Sequence, residues 1–147
     1  MRVFFCVFFL TVFQTVRSQS IDSILLKDSE LPSGYRKVDK LLCVTPHAES
    51  FYEQSELYES FLGKIVKKEF QSFQMKGDEG SVLYFEFEKE FTGQAFLDGL
   101  LWGQSKKPTK SKPDEYFAKG KFLVIWSFKL QSEIKRVSKA KIETSSL

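Results

Sequence analysis

Ser81-Val82-Leu83-Tyr84-Phe85-Glu86-Phe87-Glu88-Lys89-Glu90-Phe91 sets the reading of the whole chain. Leu83, Phe85, Phe87 and Phe91 fall on one side of a period-two pattern, and Tyr84, Glu86, Glu88 and Glu90 fall on the other. That alternation predicts a strand over 81–91 with one face in a core. Lys76-Gly77-Asp78-Glu79-Gly80 before it is turn chemistry, and 65–75 alternates less cleanly. Together they read as a β-hairpin.

Working outward, Thr92 is placed to cap a helix with Phe96, Leu97, Leu100 and Leu101 on one face, and Gly103 to close it. On the other side, Thr45-Pro46 is a helix start: a hydroxyl cap followed by a proline whose missing N–H costs nothing there. Ala48, Phe51, Ser55, Tyr58 and Leu62 then recur at intervals of three and four, up to Gly63. Residues 35–44 read as extended. Their end, Leu41-Leu42-Cys43-Val44, is apolar on both faces, as in a central buried strand. Residues 21–31 suggest a short amphipathic helix, stopped by Leu31-Pro32-Ser33-Gly34. Residues 104–119 read as a long, basic, solvated loop, and 121–130 as a strand. From Ser132 the tail is basic and helix-prone, with Ile134 and Val137 as its apolar residues.

From residue 35 the order is strand, helix, strand, strand, helix, strand. That is the split βαβ arrangement of a ferredoxin-like α+β sandwich: a four-stranded antiparallel sheet, two helices on one face, first and third strands central. A cystatin-like or other helix-on-sheet fold fits the same string with one element reassigned.

Residues 1–18 read as a signal peptide. Met1-Arg2 is a basic start, Val3 to Val16 is a phenylalanine-rich apolar run, and Val16-Arg17-Ser18 has the spacing a signal peptidase reads. The run is shorter than the roughly 20 apolar residues of a membrane span, so no stable anchor is expected. The remaining chain divides into an N-terminal helix and turn segment (19–34), one α+β domain (35–131) and a basic C-terminal helix or tail (132–147). Export, to a periplasm or outside the cell, is the expected localisation.

Without Arg2 and Arg17 the 22 basic side chains become 20, against 19 acidic ones. They are segregated: residues 19–103 carry 9 basic and 15 acidic groups, residues 104–147 carry 11 and 4. Such a chain neutralises itself in the fold or shows a basic patch to a partner. Outside the apolar run only Cys43 remains as a thiol, so no internal disulfide framework is expected. There is no Asn, hence no N-glycosylation site.

The final strand carries the sharpest functional expectation. Leu123 and Ile125 point one way, Phe122, Val124, Trp126 and Phe128 the other. A strand with water on one side does not look like that. Something covers the second set: the C-terminal segment, a second copy in a homodimer, or an apolar or anionic ligand. The expected binding surface is Tyr84, Trp126 and Phe128, rimmed by Lys106, Lys107, Lys110 and Lys112. These lysines lack arginine and interleaved aromatics, which argues against a nucleic-acid partner. One His and one Cys do not make a metal site, and no phosphate loop suggests a cofactor. The reading is a small exported non-catalytic binding domain. Its alternatives are a small enzyme using Cys43 with His47 or a carboxylate among Glu86, Glu88 and Glu90, and a domain of protease-inhibitor type.

Overall fold

The computed structural model describes residues 19–147, so the signal-peptide reading of 1–18 lies outside the described residues. The fold is α+β, built on one open antiparallel sheet of five strands: β1 (Arg36–Val38), β2 (Ile65–Met75), β3 (Asp78–Phe87), β4 (Glu115–Lys119) and β5 (Phe122–Ser127). Their order across the sheet is β1-β2-β3-β5-β4. The four helices are α1 (Pro46–Glu53), α2 (Glu59–Leu62), α3 (Gln94–Trp102) and α4 (Glu133–Glu143). This is not the four-stranded split βαβ sandwich. The first strand lies at an edge, an extra strand lies at the other edge, and both faces of the sheet are covered.

The hairpin is where the sequence places it, with a tighter turn. Met75 pairs with Asp78, leaving only Lys76 and Gly77 between the strands, and Gly77 takes φ 82°. The period-two pattern of β3 sorts as expected. Leu83, Phe85 and Phe87 join α1, α2 and α3 in one core, while Val82 and Tyr84 join the opposite one.

The difference in topology starts in the basic stretch. Glu115-Tyr116-Phe117-Ala118-Lys119 is a strand, and Gly120 (φ 57°) turns it back into β5. A two-residue hairpin makes the strands neighbours, so β5 inserts beside β3 and β4 takes the edge. The remainder of the stretch is ordered by a turn in which Thr109 and Lys112 exchange backbone hydrogen bonds at 3.0 and 3.2 Å.

Leu41-Leu42-Cys43-Val44 is not a central strand. It runs as an irregular strap across the α1 side of the sheet, from the β1 edge towards β4. Ser72, Ser81 and Ser127 sit side by side on β2, β3 and β5, all buried. The Leu42 amide donates to Ser81 Oγ (2.8 Å) and the Val44 amide to Ser127 Oγ (2.9 Å). Ser72 and Ser81 hydroxyls bond to each other at 2.7 Å. Buried backbone groups need partners, and here sheet hydroxyls supply them instead of a neighbouring strand.

Beyond the strap, Thr45 caps α1, its hydroxyl accepting from the Ala48 amide, with Pro46 in the first turn. The expected continuous helix to Gly63 is broken at Gln54 (φ −116°, ψ 30°) into α1, a 3₁₀ turn (Ser55–Tyr58) and α2. Ser55 is buried at the break, where its hydroxyl accepts from Lys68 Nζ at 3.0 Å. Thr92 does not cap α3; Gly93 holds that position because a Cβ there would lie 2.1 Å from the Leu62 side chain. The 21–31 segment forms two 3₁₀ turns (Ile21–Ser23, Asp28–Glu30) rather than a helix. Ile21, Ile24 and Leu26 are buried in the core that α4 also closes.

Candidate functional site

The surface expected on the sheet face is covered by the chain's own ends. Tyr84 and Phe128 are fully buried and Trp126 is 3% exposed, under the 21–31 segment and α4. The residues were rightly paired on one face, but Ile134 and Ile142 of α4 now lie over them, so they form core and not an open docking surface. Their polar atoms are satisfied internally: Trp126 Nε1 donates to Ser138 Oγ (2.9 Å), and Tyr84 Oη donates to Gln71 Oε1 (2.9 Å). The rim residues Lys106, Lys107 and Lys110 are exposed, and Lys112 is half-buried against Gly103. Among the described residues none of the four lies within 4 Å of a carboxylate. The segregated charge is instead neutralised around α4, where Lys141 pairs with Glu30 (2.7 Å), and Lys135 and Lys139 pair with Glu115 (2.6 and 3.0 Å).

The residues weighed for catalysis are not assembled. Cys43 lies in the strap beside Ser81 and Ser127, whereas His47 is exposed in the first turn of α1. Burial pushes the Cys43 thiol up to about 12, Asp114 and Glu49 add to this, and the serine hydroxyls only partly offset it. At neutral pH it is a thiol, not the thiolate a nucleophile needs. Glu86 is half-buried, and Glu88 and Glu90 lie exposed beyond the end of β3. Among the described residues no group of three or more His, Cys, Asp or Glu side chains is placed to hold a metal ion.

The small exposed part of Trp126 reaches a cleft that Pro108 of the basic loop also lines. This cleft, of about 320 Å³, opens beside the outer edge of β4. Trp102, Tyr116, Phe117 and Trp126 are its aromatic walls, Pro108 comes from the basic loop, and Lys139 from α4. The Trp102 and Tyr116 rings stack at 5.4 Å and 24°, and Lys139 Nζ stands 5.4 Å from the centre of the Trp126 ring. Both indole N–H groups are already engaged, that of Trp102 by the Asp114 carbonyl at 2.7 Å. The walls therefore offer ring surface, and charge comes from Lys139, Glu115 and Glu143, with Lys139 already paired to Glu115 at 3.0 Å.

The chemistry of this cleft suits binding more than reaction. It joins aromatic surface, one lysine, two carboxylates and a neighbouring set of lysines without carboxylate partners among the described residues. Sequence reasoning missed Tyr116 and Phe117 because their strand lay hidden in a stretch read as loop, and without that strand nothing brought Trp102 of α3 and Lys139 of α4 to the same place. The available signal was Gly120, a turn residue between two β-prone segments. No family model, curated protein or solved structure matches this chain.

Proposed function

We propose that the protein is an exported, non-catalytic binding domain that takes a small apolar ligand carrying negative charge in the cleft beside β4. The observation that carries this reading is the convergence of Trp102, Tyr116, Phe117 and Trp126 on one cavity that Lys139 also lines. Aromatic walls bind apolar matter by area, and a few charged groups orient it. The exposed, unpaired Lys106, Lys107 and Lys110 lie on the loop that supplies Pro108, and they favour an anionic head group over a cationic one. Export rests on the layout of residues 1–18.

The test is a fluorescence titration with anilinonaphthalene sulfonate, a compact aromatic anion. One saturable site is expected. Phe117→Ala should weaken it by about tenfold, as expected for loss of one aromatic wall. Replacing Lys106, Lys107 and Lys110 by Gln should remove most of its salt dependence. Absence of saturable binding, or an unchanged affinity in Phe117→Ala, would remove the cleft from consideration.

A further inference from the structure

β4 is an edge strand, and its outer side is free of any partner strand among the described residues. Its register fixes which groups face out. The hairpin to β5 has only Gly120 and Lys121 between Lys119 and Phe122, and in such a hairpin the flanking residues exchange both hydrogen bonds. Alternation then makes Phe117–Val124 and Glu115–Trp126 the other exchanged pairs. The N–H and C=O groups of Tyr116 and Ala118 are left pointing outward. Natural sheets blunt such edges with bulges, prolines or covering loops. This five-residue edge has none inside it.

We infer that a second copy of this chain occupies that edge, β4 pairing antiparallel with β4 about a two-fold axis at Phe117. Three features of Glu115-Tyr116-Phe117-Ala118-Lys119 select this occupant. With Phe117 opposite the partner's Phe117, Tyr116 falls opposite the partner's Ala118. These are the two residues whose main-chain groups are free, so they exchange four hydrogen bonds across the axis. The same register sets Glu115 opposite the partner's Lys119 at both ends. Among the described residues Lys119 has no carboxylate within 4 Å, and Glu115, which already holds Lys135 and Lys139, is the acid it shares at each end. Side chains also fit by size, the large Tyr116 facing the small Ala118 on the α3 side, and the two Phe117 rings meeting over the cleft on the α4 side. A shift of one residue either way would lose both the hydrogen-bond parity and the charge pairs. The result is a continuous ten-stranded sheet in which each cleft is roofed by the partner's Phe117. This inference shares Phe117 with the ligand reading, and the two are read separately: hydrogen exchange at Tyr116 and Ala118 reads the edge, and the dye titration on dilute monomer reads the cleft.

The experiment is sedimentation equilibrium over a wide concentration range, with amide hydrogen exchange at its two ends. A concentration-dependent dimer is expected. On dimerisation the Tyr116 and Ala118 amides gain protection, whereas the Phe117 amide, bonded to β5, is protected at both ends. Lys119→Glu places like charges at both ends of the pairing and should weaken the dimer by about tenfold or more. Ala118→Pro removes an outward donor and should abolish it, with the fold checked by circular dichroism. A protein that remains monomeric at every concentration overturns the proposal. So does a dimer in which Lys119→Glu changes nothing, or in which the Tyr116 and Ala118 amides exchange equally fast at both concentrations.

Discussion

Gly80 shows how little slack the sheet has at single positions. A Cβ there would lie 2.2 Å from the Ser127 carbonyl oxygen and 2.5 Å from the Phe128 ring. The first is backbone and cannot swing aside. Gly80→Ala should therefore cost at least about 3 kcal/mol, at the upper end for overpacking, read as a lower urea midpoint with unchanged slope. Sequence reasoning placed Gly80 in a turn, where glycine is unremarkable; its role as contact surface for β5 shows only once β5 lies beside β3. Cys43 taught a similar lesson. Four residues from His47 it resembled half of a reactive pair, yet burial keeps its proton on.

At the scale of an element, α4 decides what the molecule exposes. Ser132 caps it, accepting from the Lys135 amide at 3.3 Å, and the Asp78 carboxylate accepts from Ser132 Oγ (2.9 Å), the Glu133 amide (3.3 Å) and Tyr35 Oη. A carboxylate at that end also complements the helix dipole. Ile134, Ser138 and Ile142 face Trp126. The helix is also held by charge. The Lys141 ammonium and the Lys27 amide keep Glu30 below the ordinary glutamate value. Burial pushes Glu115 up, but Lys135 and Lys139 outweigh it and its value ends lowered. Carboxyls lowered by folding stabilise fully above their unfolded value, about 4.3, and this is lost as pH falls through the lower folded values. Acidification below about pH 4 should thus loosen α4, seen as a change in Trp126 emission, and Glu115→Gln should reduce that acid sensitivity. Asp114, raised by burial despite hydrogen bonds from Thr45 and Ser127, works in the opposite sense: its contribution is whole at low pH and lost as pH rises through the raised value. Asp114 therefore adds nothing to the loss at low pH; Asp22 and Glu56, also lowered, share in it, and Trp126 emission is what isolates the α4 ion pairs.

For the whole molecule, the sequence disclosed pattern better than connection. Periodicity located β2, β3, β5 and the start of α1, and it sorted Leu123 and Ile125 from Trp126 and Phe128, because side-chain alternation is a local property. It missed β4, since five residues after a run of lysines carry too little signal, and with β4 went the strand order and the cleft. It misread the strap because Leu41–Val44 has the composition of a strand, and only the distant Ser81 and Ser127 show where its amides go. The inference that Trp126 must be covered was sound, and the cover is α4. The proposed export carries its own prediction: mass spectrometry of protein recovered after secretion should give a chain beginning at Gln19. A chain retaining residues 1–18 would contradict it.

The strap has a temporal consequence. Its clasp, Ser127, lies 83 residues downstream of Val44, so the amide near the front must wait until most of the polypeptide has arrived. Early pieces such as the β2–β3 hairpin can assemble promptly, but the knot that locks α1 to the sheet waits for β5, and the clasp of Glu30 by Lys141 waits longer still. For a polypeptide threaded loosely through a translocation pore, late locking of this kind keeps the leading half pliable until passage is over.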